Sequence, residues 1–306
     1  METNIYISPQ EAQIGAERLP RLPIYTRAEN APSMRLTERD RAILEAIHAF
    51  DGMLADYQIQ RLFFQGRRQM QHRMSLLFHH GYVSRPDRKK RAAITNMVYW
   101  LGKKGANYVA GLSGQNLNEF KYRKEPKWFT LDHDIAVNDF RLQLLKACKS
   151  CGDCQLEYWM PEGEFWANPD RVEYKLPNGK RKSRYIRPDG CFSIINQGYR
   201  NRFLLEIDMA TEDNPRFTRE KILPGLAYLK SKPYRERFGR DGYGRWLVVT
   251  TGEKRMQNMI SQANQVTEPG AVVFYFSTFD RLNNVNFLHE PIWLRGDSEE
   301  PQSLIV

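Results

Sequence analysis

None of the 306 residues falls in an apolar run long enough to cross a bilayer as a helix, so no membrane span is expected. The opening stretch, METNIYISPQEAQ, lacks the basic start and apolar segment of an export signal, and a cytoplasmic location is the expectation. Cysteine is scarce. Of the four, Cys148, Cys151 and Cys154 crowd together and Cys191 stands apart, a set that does not make a disulfide framework and predicts reduced thiols. Internal repeats and low-complexity tracts are missing as well. What is present is an ordinary globular composition, 41% hydrophobic and 12% aromatic, in a chain long enough for two cores. Acidic excess is absent: 46 Lys and Arg face 36 Asp and Glu, a net charge of +10. That balance favours polyanionic partners, although charge alone does not separate nucleic acid from an acidic protein or a membrane surface.

Four prolines and no sustained apolar period make residues 1–34 an extended arm. Order begins at Thr37, an N-cap with Asp40 three residues on. Ile43, Leu44, Ile47 and Phe50 then recur at helical spacing, predicting a helix over 37–50 that Asp51-Gly52 ends. A second helix is predicted over 55–64, with Ile59, Leu62 and Phe63 inward. A third, over 67–80, has Met70, Met74, Leu77 and Phe78 in one stripe. Tyr82-Val83 and 97–101 read as two short strands around the basic run 85–91, and a helix over 102–111 follows. Three helices and then a basic hairpin is the order of a winged helix-turn-helix, here spanning residues 35–112. The polar, aperiodic segment 113–128 reads as a linker.

In such a fold the third helix enters the major groove with its N-terminal residues against base edges. Arg67, Arg68, Gln69, Gln71, His72 and Arg73 carry side chains able to bond base edges or phosphates there. Arg85, Arg88, Lys89, Lys90 and Arg91 on the wing suit backbone contact. The plainer alternative is a solvated helix face and a wing that serves protein contacts.

Residues 129–290 read as a mixed-sheet α/β domain, and 291–306 as a tail. A helix over 130–149 precedes strands at 155–160, 172–176, 182–195 and 202–210, with Asn178-Gly179 as a hairpin signal. A helix over 215–231, kinked by Pro224, a buried strand at 246–250, a helix over 253–265 and a strand at 272–276 imply a parallel portion.

Several stretches taken in order, LTERDRAILEAI (36–47), RLFF (61–64), the Arg67–Tyr82 helix and turn, HDIAVNDFRL (133–142), RPDG (187–190) and FLLEIDMATE (203–212), resemble the plasmid replication-relaxation family. The resemblance implies a winged-helix region joined to a C-terminal domain of restriction-endonuclease-like fold. It also implies a mobile-genetic-element setting, with a part in plasmid DNA replication and relaxation.

Residues 186–195 and 202–210 alternate in polarity, and Asn196-Gln197-Gly198 supplies a turn. With closure around residues 198 and 199, Asp189 would lie across from Asp208 with Glu206 as near neighbour, and three carboxylates would converge. Such a cluster repels itself unless a cation or a basic group neutralises it. Pro188-Asp189 followed by Glu206-x-Asp208 is similar to the PD-(D/E)xK nuclease signature, in which two acids hold Mg²⁺ and a lysine helps activate water. Here Asp208 stands where that lysine would be, Lys221 is a displaced candidate, and Asp139 a further acid. The alternative is a solvated polar face with Arg187 and Arg202 as ion-pair partners. Cys148, Cys151, Cys154 and Cys191 offer a four-thiolate metal site or ordinary thiols. His133 reads as a capping or hydrogen-bonding group.

These readings predict a DNA-binding protein of a plasmid or mobile element, partnered by double-stranded DNA and by replication or relaxation proteins, and not by a membrane. A nuclease or nickase dependent on Mg²⁺ or Mn²⁺ and targeted by the winged helix is the alternative, with Asp189, Glu206, Asp208 and Lys221 as its catalytic and metal residues. A transcription regulator is the third.

Overall fold

Thr37 ends the irregular lead-in to the first helix because its hydroxyl accepts from the Asp40 N–H while the Asp40 carboxylate accepts from the Thr37 N–H at 2.7 Å. The computed structural model describes residues 22–211, 213–239, 244–266 and 272–305. The chain divides into two units, Met1–Pro126 and Lys127–Val306.

The first unit runs α1 (Glu38–Ala49), β1 (Met53–Ala55), α2 (Asp56–Phe63), α3 (Arg67–His79), β2 (Val83–Ser84), α4 (Arg88–Ala92), β3 (Val98–Leu101) and α5 (Lys103–Leu112). Its three strands form an antiparallel sheet in the order β1-β3-β2. The apolar periods do what they predict: Ile43, Leu44, Ile47, Ile59, Met70, Met74 and Leu77 are buried in one core. Leu62 departs from its predicted inward position and is 37% exposed.

Three further differences have local causes. Met53–Ala55 is a strand, because Asp51 and Gly52 both take positive φ and reverse the chain into pairing with β3. The basic run closes into a short helix capped by the Asp87 carboxylate, which accepts from the Lys90 N–H at 2.8 Å. The arm and the linker are also less free than predicted. The Ala28 N–H donates to His79 Nδ1 at 3.0 Å and Arg27 lies 4.7 Å over the Phe78 ring, whereas residues 1–21 of the arm lie outside the described residues. Within 113–128, Phe120 is buried against the His48 ring.

The second unit begins with α6 (Leu131–Ser150), β4 (Cys154–Pro161), α7 (Glu162–Ala167), β5 (Asp170–Lys175), β6 (Arg181–Ile186), β7 (Gly190–Asn196) and β8 (Tyr199–Asp208). It continues with α8 (Asn214–Phe217), a π-helical turn (Thr218–Ile222), α9 (Leu223–Leu229), α10 (Lys232–Phe238), β9 (Gly244–Thr250), α11 (Glu253–Val266), β10 (Phe274–Thr278), α12 (Phe279–Leu282), β11 (Trp293–Arg295) and β12 (Ser298–Gln302). Seven strands make one mixed sheet in the order β12-β11-β10-β9-β8-β7-β4, parallel only across β8-β9-β10; β5 and β6 pair separately.

Period-two alternation sends successive side chains of each strand to opposite faces. Phe203, Leu205, Leu247 and Val249 meet Val137, Phe140 and Leu144 of α6. Leu204, Trp246, Val248 and Phe274 meet Phe217, Ile222, Met256 and Met259. The predicted strand over 182–195 is two strands, broken at Arg187-Pro188-Asp189, where proline has no N–H for a ladder. The helix predicted over 215–231 answers to Pro224 with a π-helical turn just upstream of α9, and that turn holds Lys221. The predicted tail, 291–306, is corrected: β11 and β12 complete the sheet, and Trp293 is fully buried with its indole N–H on the Phe287 carbonyl at 2.7 Å. Pro301 sits in β12, the edge strand, the position a sheet tolerates. No helix among the described residues is long and apolar enough to cross a membrane.

Candidate functional site

Gln197 and Gly198 both take positive φ, 50° and 82°, so β7 and β8 are joined by a two-residue turn and Asn196 pairs with Tyr199. The register then runs to Gly190 opposite Leu205, which sets Asp189 level with Glu206 rather than with Asp208. The turn, centred one residue earlier than predicted, corrects the expected closure. The Asp189 N–H donates to the Leu205 carbonyl at 2.9 Å, and its carboxylate accepts from the Ile207 N–H at 2.6 Å. Gly190 lets this corner close, since a Cβ there would stand 2.7 Å from the Trp159 ring.

Two cations from different elements meet these two acids. His133, in the first turn of α6, places Nε2 3.1 Å from Asp189 Oδ2. Lys221, in the π-helical turn, places Nζ 2.5 Å from Glu206 Oε2. Asp189 and Glu206 are both buried, 9% and 4% exposed, which makes their charges expensive and their mutual repulsion strong. Burial lifts the Glu206 carboxyl, Lys221 pulls it back and Asp189 pushes it up again, leaving it at about 8. Burial would also lift Asp189, but the His133 charge and hydrogen bond, the Lys221 charge and the Ile207 N–H together outweigh it and hold the carboxyl below the usual range. His133 itself rises to about 10, its burial overcome by Asp189 and Asp134. Lys221 is raised too, because Glu206 and Asp189 outweigh the cost of burying it. Beside this cluster lies a cavity of about 290 Å³, lined among others by Arg184, Arg187, Glu206, Glu220, Lys221 and Trp246.

Asp208 does not join the cluster. Arg255 grips it with Nε at 2.5 Å and Nη2 at 2.7 Å, and the Thr250 hydroxyl donates to it at 2.5 Å. Its predicted place among converging carboxylates is thereby corrected, since its oxygens are already filled by a forked guanidinium. The predicted arginine partners of the acids also go elsewhere. Arg202 donates to the Tyr158 and Tyr234 hydroxyls and the Phe238 carbonyl, and Arg187 lies 3.3 Å over the Trp166 ring. Asp139 lines a different cavity, with Phe140, Gln143 and Phe279.

In the first unit, α3 sorts its polar residues into two sets. Arg67, Arg68, Gln69, Gln71 and His72 reach the surface. Arg73 turns to the buried Asp40, with Nε 2.7 Å from Oδ1 and Nη2 on Oδ2, and bonds the Arg35 carbonyl at 2.7 Å. On the short helix α4 after β2, Arg88 and Lys89 are exposed, Lys90 pairs with Glu125, and Arg91 bonds the Ile94 carbonyl at 2.7 Å. Arg85 packs 3.9 Å over the Phe78 ring.

A family model described as replication-relaxation matches residues 44–223, more than half of the chain. The chain belongs to the replication-relaxation family. That membership associates it with plasmid replication and relaxation. No curated protein and no solved structure matches it significantly. The replication-relaxation match takes in the outer face of α3 together with His133, Asp189, Glu206 and Lys221, and it ends before Thr250 and Arg255.

His133, read from the sequence as a capping or hydrogen-bonding group, does bond a side chain; the sequence did not show that its partner is Asp189. The cysteines differ from the prediction as well. Cys151 and Cys154 form a disulfide, while Cys148 and Cys191 are buried on opposite faces of the sheet, so the four sulfurs do not converge.

Proposed function

We propose that the first unit is a winged helix-turn-helix and that the chain is a DNA-binding protein acting on plasmid or mobile-element duplexes in replication and relaxation. The observation that carries this reading is the outward row Arg67, Arg68, Gln69, Gln71 and His72 on α3, with Met70, Met74 and Leu77 buried beneath it. Such a row at the start of a third helix matches donors and acceptors to base edges in the major groove, and Arg88 and Lys89 on α4 would add phosphate contacts. The element order α1-β1-α2-α3-β2-α4-β3, with β3 central in its sheet, supports it. The test is binding of the full chain to plasmid-derived duplexes at low salt. Retarded duplex, competed poorly by single strands, supports the reading, and no complex at low salt rejects it.

A second reading rests on one contact, Lys221 on Glu206. It makes the second unit a restriction-endonuclease-like nuclease or nickase with a displaced lysine. Two buried carboxylates, one of them lifted to about 8 by burial and by the other, fit a hard divalent cation that would relieve their repulsion. Asp189 and Glu206 would hold Mg²⁺ or Mn²⁺, which supplies Lewis-acid stabilisation of the phosphorus-bound oxygens. Lys221 would orient a water and stabilise its developing negative charge, and His133 would keep Asp189 ionised. Conversion of supercoiled plasmid to open circles with Mg²⁺ or Mn²⁺, abolished in Glu206→Gln and Lys221→Ala, supports this. No conversion by a chain that binds DNA leaves the binding reading alone.

A further inference from the structure

Cys151-Gly152-Asp153-Cys154 carries the chain from the end of α6 into β4, with the Cys154 N–H on the Cys151 carbonyl at 3.4 Å. An imidazole reaches this turn from 138 residues away. His289 Nε2 lies 3.1 Å from Cys151 Sγ and 3.6 Å from Cys154 Sγ, and the three atoms all fall within 4.8 Å of one another.

The meeting is built. Asn286 Nδ2 donates to the Ala147 carbonyl at 3.3 Å and to Ser150 Oγ at 3.1 Å, tying the 286–289 loop to the last turn of α6. The His289 carbonyl accepts from Ser303 Oγ at 2.5 Å, and the Leu288 carbonyl accepts from the Leu304 and Ile305 N–H groups at 3.0 Å. These bonds fix the backbone around the imidazole, so its place beside the sulfurs does not depend on the sulfurs themselves. A plain disulfide has no use for a nitrogen ligand held against it. Two thiolates at C-x₂-C spacing and an imidazole nitrogen are the donor set zinc prefers. Tetrahedral zinc, with Zn–S near 2.3 Å and Zn–N near 2.0 Å, separates sulfur from nitrogen by about 3.5 Å. The two nitrogen–sulfur distances already bracket that value.

We infer that Cys151, Cys154 and His289 form a Zn²⁺ site, with water in the fourth position, that fills when the cysteine pair is reduced. The disulfide and the zinc form exclude each other. A dithiol reductant passes two electrons to the pair and closes to its own disulfide, leaving two thiols, and each thiol then loses its proton as it binds the metal. The ion joins the end of α6, the start of β4 and the 286–289 loop, segments that the disulfide links only locally.

The test uses the full chain, purified with a phosphine reductant and dialysed against micromolar Zn²⁺. Mass spectrometry of metal content should give one zinc per chain. Co²⁺ in its place should give sulfur-to-cobalt charge-transfer absorption. Cys154→Ser and His289→Ala should fail to hold the metal, whereas Cys191→Ser should keep it. Because His289→Ala leaves the sulfur pair intact, its circular dichroism and its oxidised melting temperature should match wild type, which separates failed ligation from failed folding. A folded, fully reduced wild type that takes up neither ion overturns the site. So does metal that persists undiminished in both ligand variants.

Discussion

Each unit of this chain holds a basic side chain on a buried carboxylate, and the two pairs are built in opposite ways. In the first unit, Asp40 is fully buried and its oxygens accept from the Thr37 N–H, the Thr37 hydroxyl and two nitrogens of Arg73. Burial would raise its carboxyl, but Arg73 and Thr37 outweigh burial and hold it low. In the second unit, Glu206 has Lys221 on one oxygen and a second carboxylate, Asp189, level with it across the strands, and it rises to about 8. A saturated pair is a rivet between helices. An unsaturated one, left with repulsion and facing a cavity, is where the proposed cation would act. The same distinction applies along α3, where Arg73 is spent inside the unit and Arg67 and Arg68 face solvent.

The largest effect expected from this contrast is at the rivet. Arg73→Ala leaves Asp40 buried without its guanidinium and should destabilise the first unit by roughly 3–5 kcal/mol, read from denaturant unfolding. Next is the cation. Mn²⁺ at about a hundred times its dissociation constant should stabilise the second unit by about 2.7 kcal/mol, seen as a rise in melting temperature. Asp189→Asn with Glu206→Gln should remove the rise and leave DNA binding unchanged; a rise that survives both substitutions places the ion elsewhere. Smaller is the dependence on pH. Glu206 rises from 4.5 to about 8 on folding, so the stability it gives is complete below about 4.5 and is lost as pH rises through 8. His133, raised from 6.5 to about 10, acts in the same direction over a higher window, while lowered Asp189 acts only in acid. Stability should therefore fall from pH 5 to 9, by at most about 1.4 kcal/mol per pH unit per group. Glu206→Gln should flatten the fall below pH 8, and a wild type whose melting temperature is level across that range would mean that Glu206 is not strained by burial beside Asp189.

How legible each region was follows from the range of the interactions involved. Helical periods and the Thr37–Asp40 cap are local, and α1, α2 and α3 lie within a residue or two of their predicted spans. The pairing of Asp189 with Glu206 needed the turn, and Gln197 takes positive φ, a conformation its residue type does not announce. The diversion of Asp208 depends on Arg255, 47 residues on, and the charge on Asp189 depends on His133, far upstream; neither is written in a strand's own alternation. β12 was hidden because SEEPQ is charged and contains proline, which reads as a tail until an edge position excuses it.

Whether the outer face of α3 docks duplex DNA is checked most directly by a paired salt titration of duplex affinity for Arg68→Ala and wild type. Arg68→Ala should bind more weakly, at unchanged melting temperature. Its plot of log affinity against log salt should be shallower by about one unit for each phosphate that the arginine no longer neutralises. Equal affinity and equal slope for the two proteins would contradict docking through this face.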